Sequence, residues 1–230
     1  AVNDIGSSRA KKILVGSYDF SLHCVNDVTG QVDWKYTSDN YINGAPSVSG
    51  GVAIFGGCDG NLHVVDVRTG EVRYKVSIGT YIASSGTITG NLVFCGNYDG
   101  DFYCIDYVNQ KLVWEQNGMG SFVGSPAISD NKVVIGSENS AVYCFNSRDG
   151  RQLWNYKTLG RIAGSPVIAG NSAIITSGDG RIYVLDMLTG SPKWSYEMGA
   201  PSSCTPAIVR NLLVAATEDG QVFGFKINYS

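Results

Sequence analysis

Residues 165–198 read SPVIAGNSAIITSGDGRIYVLDMLTGSPKWSYEM. The segment divides into four short apolar runs separated by turn residues. Residues 165–169 form a first strand, closed by Gly170-Asn171, and residues 173–176 a second, closed by Asp179-Gly180. Residues 181–186 form a third, closed by Thr189-Gly190, and residues 193–196 a fourth. Gly-Asn and Asp-Gly tolerate the positive φ that tight reversals require, so each reads as a two-residue hairpin turn. We label the strands A to D.

The same pattern recurs along the chain with a fixed period. Trp34, Trp114, Trp154 and Trp194 are 80, 40 and 40 residues apart, and Tyr74 occupies the vacant position. Pro46, Pro126, Pro166 and Pro206 fall on the same lattice, with Gly86 in the remaining slot. So do Asp59-Gly60, Asp99-Gly100, Asp179-Gly180 and Asp219-Gly220, with Asp19-Phe20 and Asn139-Ser140 as variants. Four antiparallel strands in 40 residues make a propeller blade. Strand C agrees, since Leu62-His63-Val64-Val65 and Phe102-Tyr103-Cys104-Ile105 are apolar on both faces. A sheet with one solvated face would alternate.

The expected architecture is an all-β, six-bladed propeller in a single domain, residues 1–230. Its units run approximately 1–40, 41–80, 81–120, 121–160, 161–200 and 201–230. The first unit starts inside strand A at Ala1-Val2-Asn3 and has a longer A–B connection through residues 6–10. The last ends after strand C at Phe225-Lys226-Ile227, without an outer strand of its own. The strand that completes it would precede Ala1. A closing strand from outside the chain, no closing strand, and a fragment of a larger ring all stay open.

Composition narrows the function. Charged residues are 16% of the 230, and 17 Lys+Arg stand against 20 Asp+Glu for a net charge of −3. That excludes a disordered chain and a basic nucleic-acid binder. No apolar run approaches the ~18 residues of a membrane-spanning helix. Ala1 is not an initiator methionine, so a mature form or an excised piece is expected and targeting is not legible.

The recurring string Asp-Gly-x-aromatic-Tyr-x-x-Asp-x-x-Thr-Gly-x-x-x-Trp stands at Asp179-Gly180, Tyr183, Asp186, Thr189-Gly190 and Trp194, with Gly199 and Pro206 after it. It resembles the quinoprotein-type (PQQ-like) propeller repeat over essentially the whole chain. The resemblance implies that the tryptophans pack between blades. The family holds PQQ-dependent alcohol dehydrogenases, cofactor-free scaffolds such as the outer-membrane assembly lipoprotein, and sensor propellers fused to other domains. The enzymes have eight blades, a calcium ion on carboxylate and amide ligands, a catalytic Asp and commonly a disulfide of adjacent cysteines. This chain has no adjacent cysteines and is two blades short. Most of its aspartates are explained by turns. We expect no enzyme, no cofactor and no metal.

His23 and His63 share an aromatic slot with Tyr103, Tyr143, Tyr183 and Phe223, which favours packing over catalysis. Neither a Ser/His/Asp set nor a phosphate-binding glycine loop can be assembled. Cys24, Cys104 and Cys144 share a slot with Val64 and Val184, as small apolar residues do. A two-residue Asp99-Gly100 turn would set Tyr98 opposite Asp101 and Cys95 opposite Cys104, close enough for either a disulfide or two packed thiols. Unpaired core thiols favour a reducing compartment, whereas the family resemblance implies periplasmic or extracellular residence; localisation stays undecided.

Alternating strand direction puts the B–C turns and D–A loops on one rim, the A–B and C–D turns on the other. Residues that break the repeat on an exposed rim are where function is expected. The B–C/D–A rim breaks it most. Tyr18, Phe20, Tyr41, Tyr81 and Tyr98 make its first three blades aromatic, and Phe122 and Arg161 follow in later loops. Phe20 stands in a turn-glycine slot, poorly suited to a bulky residue. Ile42, Ile82, Phe122 and Ile162 recur on the lattice and also read as plugs of the channel mouth. The leading expectation is a scaffold or sensor propeller that binds a protein or peptide on this rim. The alternative is a small-molecule or carbohydrate-binding propeller, and a degenerate quinoprotein is third. Neither nucleic acid nor direct membrane insertion is expected.

Overall fold

The computed structural model describes residues 2–3 and 11–227, which carry strands and turns and no helix. They form six antiparallel sheets, five of four strands and a last of three, each ordered as in the chain. The protein is a six-bladed β-propeller. Its blades span residues 2–37, 47–77, 87–116, 127–157, 167–197 and 207–226. Blade 6 ends with Val222–Lys226. The strand expected to complete it from ahead of Ala1, and the first A–B connection at 6–10, lie outside the described residues.

Blade 4 shows how the local sequence builds the unit. Ala127–Ser129 meets Lys132–Ser137 through Asp130-Asn131, at φ 48° and 60°. This is the two-residue turn with two positive φ values expected between A and B. The B–C connection differs from the expectation. Ser137 pairs with Ala141, so three residues intervene and only Ser140 has positive φ. The Asp-Gly turns follow suit: Asn97 N–H donates to the Asp101 carbonyl at 2.9 Å, and Gly100 alone of Tyr98-Asp99-Gly100 has positive φ. A type I turn closed by a left-handed residue needs one such glycine, not two.

That extra residue shifts the register by one and corrects the cysteine pairing. Cys95 lies opposite Tyr103, and Cys104 opposite Phe94. A one-residue slip moves a side chain to the other face of a sheet. Cys95 therefore packs toward blade 2 and Cys104 toward blade 4, and all six cysteines are free. Burial pushes the Cys95, Cys104 and Cys144 thiols up to about 12. A thiolate is the reactive form, so these three should stay unlabelled by a maleimide in the folded protein while partly exposed Cys58 and Cys204 react. Rapid modification of Cys95 or Cys104, read by peptide mass mapping, would contradict the packing.

The core is a series of slabs, each shared by two successive blades. Between blades 4 and 5, for example, Val134, Cys144 and Trp154 meet Ala173, Ile175, Tyr183 and Met187. Five such slabs join the six blades among the described residues. Among the described residues, Val15 on blade 1 and Val209, Leu212 and Val222 on blade 6 are exposed.

Three devices lace the blades together. Trp34, Trp114 and Trp154 donate Nε1–H to the carbonyls of Val67, Ser147 and Met187, each 33 residues on, at 3.0–3.1 Å. Their rings lie over Gly70, Gly150 and Gly190 in the C–D turn of the following blade. Blade 2 carries Tyr74 instead, and the following turn carries Gln110 in place of glycine. Trp194 occupies the same strand position but is 40% exposed, against 7% for Trp154, so the four rings are not equivalently packed. Its lattice counterpart of the turn glycine, Ser230, lies outside the described residues.

The second device explains the Ser-Pro pairs. Backbone N–H groups of Ser85, Ser125 and Ser165 donate to the hydroxyls of Ser125, Ser165 and Thr205, at 2.9–3.1 Å. The third is the D–A loop. Ile42, Ile82, Phe122 and Ile162 are buried over Gly16, Gly56, Gly96 and Gly136, where a Cβ would collide with them. Where the loop residue shrinks to Ser202, the glycine slot holds Thr176.

Candidate interaction rim

Hydrogen bonds place the D–A loops beside the B–C turns. The carbonyls of Tyr41, Tyr81, Ser121, Arg161 and Pro201 accept from the backbone N–H of Cys58, Tyr98, Glu138, Gly178 and Glu218. Each loop is thus stapled to the next blade's turn, and the side chains of both stand side by side on one rim.

On blades 1 to 3 these side chains are aromatic except Cys58. Tyr41 meets Tyr18 and Phe20 edge-on, at centroid distances of 5.0 and 5.1 Å. Tyr81 and Tyr98 form a second nest at 5.1 Å. Between the nests Asn43 Nδ2 donates to Cys58 Sγ at 3.2 Å. Tyr18 is 70% exposed, Phe20 39%, Tyr41 42% and Tyr98 45%, while Tyr81 is half-buried. Phe20 sits at φ 69°, a conformation costly for a bulky side chain. The turn therefore holds an exposed ring in a strained backbone, against both local preference and burial.

Two other candidates fall elsewhere. Arg161 is exposed on the neighbouring sector, 3.8 Å from Glu138. Phe122 is fully buried over Gly96 and is corrected from a rim contact to a packing residue. The missing Cβ of Gly96 lets the Phe122 side chain pack directly on the strand, and burial outcompetes exposure.

Six of the aspartates are held in turns. Asp66, Asp106 and Asp186 accept from the backbone N–H groups two and three residues on. Asp19, Asp59 and Asp179 accept from the N–H two residues on. His63 is buried and stacked on Phe55 at 5.0 Å. Its Nε2–H donates to Asp59 at 3.1 Å, and Tyr36 O–H donates to its Nδ1 at 2.9 Å. Burial lowers its pKa more than Asp59 raises it, so His63 is a neutral core residue. Among the described residues no three His, Cys, Asp or Glu side chains come together in a way that could hold a metal ion.

Charge on the aromatic sector was not read from the sequence. One slot on strand D holds Lys35, Lys75 and then Glu115. Lys35 pairs with Asp19 at 3.2 Å and Lys75 with Asp39 at 3.1 Å, whereas Glu115 makes no ion pair among the described residues. The change of sign after Lys35 and Lys75, in a slot that goes on to Asn155 and Ser195, was the available signal.

The family described as outer membrane protein assembly factor BamB matches residues 3–81, 58–160 and 124–228. No curated protein matches the chain. Among solved structures, BamB from Moraxella catarrhalis aligns with a TM-score of 0.81 at 20% identity, over 98% of this chain and 69% of that one. The computationally designed Ika8 protein aligns at 0.85 and 20% identity, over 97% of this chain and 70% of that one. At such identity the two structures establish the fold alone.

Proposed function

The chain belongs to the family of the outer membrane protein assembly factor BamB, and from that premise we propose that it is a non-catalytic interaction propeller. It binds a protein or peptide on the B–C/D–A rim of blades 1 to 3. One observation carries the reading: Tyr18, Phe20, Tyr41, Tyr81 and Tyr98 break the repeat together, on one exposed sector, at the cost of a strained backbone at Phe20. Large amphipathic rings are the side chains that dominate binding hot spots. Six aspartates, Asp19, Asp59, Asp66, Asp106, Asp179 and Asp186, accept from backbone N–H groups in turns, which supports a scaffold over an enzyme. Tyr41 meets its neighbours edge to face and the Tyr81–Tyr98 pair is tilted by 44°, so neither nest is coplanar, which supports a peptide over a stacked saccharide. Family membership supports work at the outer membrane, on its periplasmic side. No helix among the described residues is long and apolar enough to cross a membrane.

A photo-crosslinking side chain tests the rim. It is placed at Tyr41 or Tyr98, and for comparison at Val28 or Leu188, which are exposed on the opposite rim. Adducts are expected from positions 41 and 98. Adducts from 28 and 188 alone would move the interface to the other rim and end this reading.

A further inference from the structure

We infer that the occupant of this rim is an extended cationic peptide segment, bearing arginine or lysine side chains that sit on the tyrosine faces. The inference rests on the rim assignment above and adds the chemistry of the partner.

Charge is its first support. Asp19, Asp39, Asp59, Asp99, Asp101 and Glu115 flank the aromatic sector, against Lys35 and Lys75. Both lysines are engaged in ion pairs with Asp19 and Asp39. Asp99, Asp101 and Glu115 have no cationic partner among the described residues, and neutral His63 contributes none to Asp59. Clustered carboxylates beside a low-dielectric surface attract cations and speed their encounter. The blade 4 and 5 sector differs, because Arg161 faces Glu138 and Arg181 faces Glu197. Asp99, Asp101 and Glu115 thus stand without a cation on the same sector as the exposed rings.

The rings are the second support. An aromatic face attracts a guanidinium or ammonium through its quadrupole, and Tyr41 and Tyr98 each keep exposed surface beyond their ring contacts. The two nests are contributed by successive blades, so a chain running along the rim meets them in turn. An acidic segment would meet uncompensated carboxylates, and a purely apolar one would leave them unpaired.

The probes are three fluorescein-labelled short peptides, of glycine alternating with arginine, glutamine or glutamate, titrated by anisotropy against the whole chain. The arginine peptide is expected to bind about tenfold more tightly than the glutamine one. Tyr41→Ala and Tyr98→Ala should each weaken it about two- to fivefold with charge unchanged. Glu115→Gln should weaken it about twofold and flatten its salt dependence, while Glu197→Gln, the same charge change on blade 5, leaves it unaltered. Unchanged melting curves establish that the variants are folded. If the glutamine peptide binds equally well and is still lost in the tyrosine variants, the cationic assignment falls and the rim reading stands. If the arginine peptide is indifferent to both tyrosines, its binding is diffuse and the inference is overturned.

Discussion

Replacing Trp154 by alanine is expected to remove about 3–5 kcal/mol of stability, and the same change at Trp194 only about 1–2 kcal/mol. Trp154 is buried between blades 4 and 5, over Gly190, with its Nε1–H on the Met187 carbonyl. Deletion leaves a cavity as wide as an indole and strands a buried carbonyl. Trp194 has less to lose. It is 40% exposed, meets Phe225 edge-on at 5.2 Å and stacks on Tyr196. Because each slab joins only two successive blades, stability is close to a sum of neighbour terms. Weakening the slab between blades 4 and 5 should therefore also separate the unfolding of blades 1–4 from that of blades 5–6. Urea unfolding followed by circular dichroism should show a broadened or two-step transition for Trp154→Ala and a single shifted one for Trp194→Ala. Equal losses at the two positions would mean that Trp194 is fully packed in solution.

The lattice carried most of the fold because a propeller blade is a local object. Among the described residues the within-blade connections are hairpins, so turn residues and apolar runs set them with little help from distant sequence. The B–C turn shows the limit. Asp-Gly suits both a two-residue turn and the last two positions of a three-residue one, and only the flanking pair separates them. The hydrogen bond from Asn97 to Asp101 decides it, and with it the faces of Cys95 and Cys104. Tyr18, Phe20, Tyr41, Tyr81 and Tyr98 stand out in the sequence as breaks in the repeat. Phe122 instead recurs on the lattice with Ile42, Ile82 and Ile162, and the partner slot 26 residues earlier, Gly96, is what buries it. Glu115 was passed over because a charged residue on an outer strand is unremarkable until its two lysine predecessors are set beside it.

Gly190→Ala should cost about 2–4 kcal/mol, although it adds one methyl group to a surface turn. Two effects combine. Gly190 has φ +73°, where an L-residue loses roughly 1–2 kcal/mol. A Cβ there would also lie 2.6 Å from Trp154 Cδ2, an overlap that forces the ring or the turn to shift for about another 1–2 kcal/mol. Gly30 separates the two effects. It occupies the same turn slot at φ +68° with nothing within 4 Å, so Gly30→Ala should lose only the backbone part. The chain already contains the complementary solution, since Tyr74 replaces the tryptophan of blade 2 and Gln110, at φ 55°, replaces the next turn glycine. Transplanting that pair as Trp154→Tyr with Gly190→Gln should therefore be less damaging than the sum of its parts, with a coupling of at least ~1 kcal/mol. Thermal and urea denaturation of the two single variants and the double variant measure it. Strict additivity, or equal losses for Gly30→Ala and Gly190→Ala, would show that the turn glycines are kept for their backbone alone and that the ring above them exerts no constraint.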